Sequence, residues 1–156
     1  MYILDTDHLS LLERVDNVDK QRLKNRLNRL AEGELATTII AFEEQMRGWL
    51  AYLAKSRSIS QQVGAYRRLR RQLDNYCSII VLDFDGRAAA EYQRLKSQRL
   101  RIGTMDLKMS AIVQANDAVL LSRNLVDFRR VPISELKTGF PKLDRLNRTK
   151  KTLDRP

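Results

Sequence analysis

Apolar positions along this chain follow two rhythms, short unbroken runs and longer stretches in which they return every three or four residues. Tyr2-Ile3-Leu4 is the first run, and reads as a buried strand ending at Asp5. Thr6 or Asp7 then suits the cap of a short helix carrying Leu9, Leu11 and Leu12. Leu23, Leu27 and Leu30 recur at helical spacing within an Arg-, Lys- and Asn-rich stretch, which predicts an amphipathic helix stopped by Gly33. Thr37-Thr38-Ile39-Ile40 is a second, β-branched strand, followed by a helix from about Phe42 to Leu53. Ile59, Val63, Tyr66, Leu69, Leu73 and Tyr76 step by threes and fours through a further long helix, whose other face holds Arg67, Arg68, Arg70 and Arg71. Such an arginine run is ordinarily a solvated face, with RNA contact the rarer use.

Ile79-Ile80-Val81-Leu82 is the third strand. Ala88, Ala89, Tyr92, Leu95 and Leu100 mark a helix ended by Gly103, and Thr104 suits the cap of the next, with apolar residues at Leu107, Ala111, Ile112 and Ala115. Ala118-Val119-Leu120-Leu121 is a fourth strand, and a loop at Val131-Pro132-Ile133 leads into a polar, basic tail. No internal repeat or low-complexity segment interrupts the order.

Short strands that are apolar throughout, alternating with helices, specify an α/β fold: a central parallel β-sheet with helices on both faces. A chain of 156 residues suits one such domain. We place it at residues 1–135, with a basic C-terminal extension over 136–156. In open parallel sheets the active crevice lies beyond the carboxyl ends of the strands, so the residues just after each strand carry the most information.

Those residues are acids. Asp5 and Asp7 follow the first strand, Glu43 and Glu44 open the helix after the second, Asp106 lies in the first turn of the helix leading to the fourth, and Asn124 and Asp127 lie after that strand. Taken singly each has a structural explanation, as a helix cap, a first-turn acid favoured by the helix dipole, or an exposed loop acid. Gathered at one end of a sheet, carboxylates repel and raise one another's pKa values, and a hard cation relieves the conflict.

Cys77 is the only cysteine and His8 the only histidine, so neither a disulfide framework, a zinc site of the Cys/His type nor a Cys-His nucleophile pair is available. An all-oxygen donor set selects Mg²⁺ or Mn²⁺, ions that support phosphodiester hydrolysis. The formal net charge of +10 points to a polyanionic partner. Half of that excess lies from Lys137 onward, where seven basic residues face two acids, Asp144 and Asp154. A solvated tail and an RNA-gripping one are equally good readings of it. No stretch approaches the roughly 18 apolar residues of a membrane span, and the first residues lack a signal-peptide pattern, so a soluble cytoplasmic protein is expected.

Four segments resemble the motifs of PIN domains, in the family's order. They are Ile3-Leu4-Asp5-Thr6-Asp7; Thr37-Thr38-Ile39-Ile40-Ala41-Phe42-Glu43-Glu44 with Gly48 beyond it; Ile102-Gly103-Thr104-Met105-Asp106 with the small-residue helix after it; and Leu120-Leu121-Ser122-Arg123-Asn124 continuing to Asp127-Phe128 and Val131-Pro132. The resemblance covers about residues 1–135 and extends to the toxins of VapBC-type toxin–antitoxin pairs. It implies an endoribonuclease that uses Mg²⁺ or Mn²⁺, often a homodimer, silenced by a VapB-like antitoxin lying in its groove. Carried over, the metal-site acids are Asp5, Glu44, Asp106 and Asp127, with Glu44 preferred to Glu43 by its spacing to Gly48. Asn124 is a polar neighbour that places a water or a ligand in its own right. Ser122 stands where a threonine is commoner, Lys108 and Met109 replace more apolar or small residues, and the tail after Phe140 lies beyond the family's usual end.

The motif set leaves a housekeeping nuclease, maturing a structured RNA or cutting DNA flaps, as an alternative. A catalytically inactive RNA- or protein-binding module is a third reading, against which the intact acids weigh. His8 is expected to play a structural part at its helix start, and Cys77 to be a small buried hydrophobe. Trp49 and Tyr52 are expected in core or dimer packing before RNA stacking. No Gly-rich phosphate loop is present to suggest use of a nucleoside triphosphate.

Overall fold

The computed structural model describes residues 1–132 and 136–137. Its elements run β1 (Tyr2–Leu4), α1 (Thr6–Glu13), α2 (Val18–Leu27), β2 (Leu35–Thr38), α3 (Ile39–Lys55), α4 (Ile59–Cys77), β3 (Ile80–Leu82), α5 (Gly86–Ser97), α6 (Thr104–Ala115), β4 (Val119–Leu121), α7 (Leu125–Phe128) and β5 (Leu136–Lys137). The strands form one sheet in the order β3-β2-β1-β4-β5, and every neighbouring pair is parallel. The expected parallel α/β architecture is therefore the observed one, with a fifth strand that the sequence pattern did not single out. That strand lies just past residue 135, and the rest of the expected basic extension lies outside the described residues, as do Ile133 and Phe140.

From β1 the chain steps to β2 and then β3 on one side, and returns across the sheet to β4 and β5 on the other. Right-handed crossovers in opposite directions carry their helices to opposite faces. The strand order consequently reverses between β1 and β4, and a crevice opens at the carboxyl ends of those two strands. Ile3, Ala36 and Leu120 from the three central strands are fully buried, and pack with Ala41 of α3, Met109 and Val113 of α6, and Phe128 of α7.

Element boundaries shift from the expected ones where a side chain intercepts the backbone. The β-branched run Thr37–Ile40 does not continue as a strand, because the hydroxyl of Thr38 accepts the Ala41 N–H at 3.1 Å and starts α3 at Ile39. The cap of α1 is neither Thr6 nor Asp7 but Asp5, whose carboxylate accepts the His8 N–H at 2.8 Å. The cap position of α6 is Gly103, with no side-chain bond, and Thr104 is its first helical residue. Helix α2 ends at Leu27, ahead of Gly33, which instead makes a turn at φ +81° before β2.

The long helix α4 departs most from its pattern. Its buried residues are Ala65, Gln72 and Tyr76, while Ile59, Val63, Tyr66 and Leu73 are more than half exposed. A three–four repeat identifies an apolar stripe without saying what it faces. Cys77, expected inside, is likewise exposed. Among the described residues no helix is long and apolar enough to cross a membrane.

Thr38 is fully buried, so its capping hydroxyl has no water to replace it. Thr38→Val keeps the shape and removes the acceptor, and should destabilise the chain by about 1–2 kcal/mol in urea unfolding. Thr38→Ser should retain most of the parent's stability. Equal losses in the two variants would show that packing of the methyl group, and not the cap, holds this junction.

Candidate functional site

At the point where the strand order reverses, the first residues after β1 and β4 are neighbours. Leu4 pairs with Leu121, so Asp5 and Ser122 come next in register. The Asp5 N–H donates to the Leu121 carbonyl at 3.2 Å, and the Ser122 hydroxyl donates to Asp5 Oδ2 at 2.5 Å. The other carboxylate oxygen, Oδ1, accepts both the His8 N–H and the His8 ring Nδ1–H, each at 2.8 Å. Asp5 is 4% exposed, and His8 and Ser122 are fully buried. A carboxylate offers about four acceptor sites, so three bonds fix its orientation and still leave room for one more partner.

Ser122 continues the network outward by accepting the Asn124 N–H at 2.9 Å. Asn124 caps α7, and its amide Nδ2 donates to Asp127 Oδ2 at 3.0 Å. Asp127 Oδ1 lies 3.1 Å from Arg130 Nη1, which also donates to the Arg101 carbonyl at 2.6 Å. Asp127 thus already meets a positive charge.

The doubled glutamates separate as adjacent positions on a helix must, about 100° apart. Glu43 turns to Arg47, one turn along α3. Glu44 accepts a short hydrogen bond from the Thr6 hydroxyl, which ties the start of α1 to α3. The next residue, Gln45, is buried and braces the same helices, donating to Ser10 at 3.3 Å and accepting from the Tyr76 hydroxyl at 2.7 Å.

Asp106 registers how close the acids come. Burial first, then the charges of Glu44, Asp127, Asp5 and Asp7, push its carboxyl up from the usual 3.8 to about 6. The structure therefore brings the expected acids into one electrostatic neighbourhood, with Asp7 as a further contributor. It does not bring them into contact. Among the described residues no three acidic, His or Cys side chains stand close enough to hold an ion as they are. Three of the four are instead turned toward a local partner: Asp5 to Ser122 and His8, Glu44 to Thr6, Asp127 to Asn124 and Arg130. The donor set remains all oxygen, and its excess negative charge fits a hard divalent cation.

Sequence reasoning missed Ser122 and Thr6 as partners of the acids. The first was recoverable, since placing β1 and β4 side by side in register sets Ser122 against Asp5. The Thr6–Glu44 bond spans 38 residues and depends on how two helices dock, for which the sequence carries no signal.

The raised Asp106 has a consequence for stability. A carboxyl whose folded-state pKa exceeds its unfolded value binds its proton more tightly in the native state, so stability falls as the pH rises from about 4 through about 6. Half-burial reduces the full linkage, leaving an effect of about 1–2 kcal/mol. In the absence of metal, Asp106→Asn should flatten that fall and unfold at higher urea than the parent at pH 7. A variant that parallels the parent at every pH would show that Asp106 is solvated and feels the other acids weakly.

Solved structures of similar fold include FitAcB from Neisseria gonorrhoeae, at TM-score 0.68 and 19% identity over 89% of this chain and 98% of that one. VapBC2 from Rickettsia felis, bound to a DNA fragment from their promoter, aligns at TM-score 0.67 and 24% identity over 88% and 97%. VapBC-1 from nontypeable Haemophilus influenzae aligns at TM-score 0.64 and 22% identity over 88% and 97%. At such identities the likeness is one of fold. No curated protein matches in sequence. The profile of the PIN domain matches residues 2–133, a span that includes every strand up to β4 and all of the acids described above. The chain belongs to the PIN domain family.

Proposed function

We propose that this chain is a Mg²⁺- or Mn²⁺-dependent endoribonuclease, the toxin of a type II toxin–antitoxin pair. PIN domains are generally nucleases, and membership of the family supports hydrolysis of a nucleic-acid phosphodiester. The observation that carries the reading is the gathering of acids around Asp106, whose carboxyl is raised first by burial and then by the charges of Glu44, Asp127, Asp5 and Asp7, which reach it from three separate parts of the chain. Carboxylates converging on one half-buried place accumulate negative charge that a hard divalent cation would offset.

Asp5, Glu44, Asp106 and Asp127 are the residues that would hold the cation. When bound, it activates a water for attack on phosphorus and offsets the charge developing on the leaving oxygen. The remaining work falls to the chain itself. His8 and Ser122 fix both oxygens of Asp5, so that this carboxylate does not reorganise on loading. Thr6 holds Glu44, and the Asn124 amide holds Asp127 beside the crevice, where it helps to place a water. Arg130 must yield part of Asp127 to an incoming cation, which makes Asp127 the most weakly committed of the four. The net charge of +10 attracts RNA over distance, and the acids hold a cation rather than repel the substrate.

A VapB-like antitoxin is the proposed partner, since the similar structures from Rickettsia felis and Haemophilus influenzae are VapBC assemblies. A cytoplasmic homodimer is proposed with it. Ile59, Val63, Tyr66 and Leu73 form an exposed stripe on α4, interrupted by the Arg70–Asp74 pair, that a second copy of the chain would bury. The housekeeping and inactive readings have no comparable observation in their favour.

The test is cleavage of RNA by purified protein. EDTA should abolish it. Asp5→Asn, Glu44→Gln and Asp106→Asn should each abolish cleavage and toxicity on expression, because the amide keeps shape and loses the charge that holds the cation. Glu43→Gln should leave both intact, since Glu43 faces Arg47. Full activity in EDTA, or in all three amide variants, would refute the metal-dependent nuclease.

A further inference from the structure

Trp49 and Tyr52 do not sit in the core. The two rings meet edge-to-face, with centroids 6.0 Å apart at 85°, and the Arg68 guanidinium lies over both, 5.1 Å from the indole centroid and 5.8 Å from the phenol. Tyr52 is 43% exposed, and Arg68 is exposed and meets no carboxylate in an ion pair among the described residues. These groups line a groove of about 960 Å³ between α1, α3 and α4 whose other end is formed by Thr6 and Glu44. Glu44, Gly48 and Tyr52 follow one another at one-turn intervals along α3, so the aromatic end lies about 12 Å from the acidic end by helix rise. Gly48 keeps the wall between them low, since a side chain there would project into open space. Arg14 and Arg71 add positive charge along the same groove, where Glu13 is held by Gln72 and Asn75.

We propose that this groove is the substrate-strand subsite, in which a nucleobase flanking the scissile phosphodiester displaces the exposed guanidinium of Arg68 from the Trp49 ring, stacks on the indole in its place and is covered by that guanidinium. The proposal rests on the nuclease reading above and adds to it the path of the RNA. Three properties select single-stranded RNA as the occupant. An indole paired with a guanidinium is a surface suited to the π-face of any base, and such stacking is tolerant of sequence. Arginines on the walls suit the phosphates between bases. The groove also reaches Glu44, one of the four acids, so a strand gripped at the aromatic end would run toward the acidic one. The exposed apolar stripe of α4 does not compete for this site. Arg68 follows Ile59 by two and a half helical turns, which places it on the opposite side of the helix from that stripe.

Trp49 is the only tryptophan, so its fluorescence reports on this groove alone. The full chain carrying Asp106→Asn is titrated in EDTA with a short single-stranded oligoadenylate, whose binding is followed separately by the anisotropy of an end label. The subsite predicts saturable quenching of Trp49 in step with binding, and little quenching by an abasic ribose-phosphate chain of the same length. In chains with the acids intact, Trp49→Leu should raise KM for RNA cleavage about tenfold, as the loss of one stacked base implies. Trp49→Phe, which keeps an aromatic face, should recover most of that loss and serves as the folding control. Binding of oligoadenylate without quenching, or parent-like KM in Trp49→Leu, overturns the subsite while the nuclease reading stands. Quenching by a protein partner and not by RNA also overturns it, and makes the groove a protein-docking surface. Absence of RNA cleavage in the parent strikes the nuclease reading itself, whereas base-dependent quenching would still support the subsite as an RNA-binding groove.

Discussion

The Asp5 carboxylate, closed in beneath the reversal of the strand order, is the interaction on which the arrangement depends. A buried carboxylate is tolerated only if hydrogen bonds replace its water, and here each replacement organises a different part of the fold. The bond to the His8 N–H starts α1, and the bond to the His8 ring seats the only histidine under the sheet end. The bond from Ser122 crosses from β1 to β4 and hands on to Asn124 and so to Asp127. One acid therefore caps a helix, joins two strands that are 117 residues apart, and sets the position of a second acid. An amide at position 5 keeps the acceptor that caps α1, which is why the loss of charge and the loss of fold are separable there.

Around this fixed acid the others are placed by their own elements. Glu44, Asp106 and Asp127 approach on three different connections, and the fold gives two of them neutralising or hydrogen-bonding partners of their own. Among the described residues Asp106 has neither, and burial and the neighbouring acids raise its proton affinity.

Much of this was legible in the residues. Unbroken apolar runs gave the four longer strands, and helical spacing between them gave a parallel sheet whose carboxyl ends had to carry the site. Reading the residue after each strand then found the acids. Register between distant strands was less accessible, although Ser122 followed from it once β1 and β4 were adjacent. The ends of elements were misplaced where one hydroxyl or carboxylate competed with the ladder, as at Thr38 and Asp5, because local propensity does not say which side chain will reach back. Burial was the least legible. The apolar repeat of α4 marked a stripe and suggested an inner face, yet Ala65, Gln72 and Tyr76 face inward and the larger aliphatic residues do not. Trp49 and Tyr52 raised the same ambiguity and resolved it outward, onto the groove beside Glu44.

The central claim is that these acids are a cation site. Crystals grown with Mn²⁺ and measured at a wavelength where manganese scatters anomalously test it most directly. The account predicts an anomalous peak between Asp5 and Asp106, within bonding distance of at least one of Glu44 and Asp127. A map with no peak there, from protein that cleaves RNA when supplied with the same Mn²⁺, would contradict it.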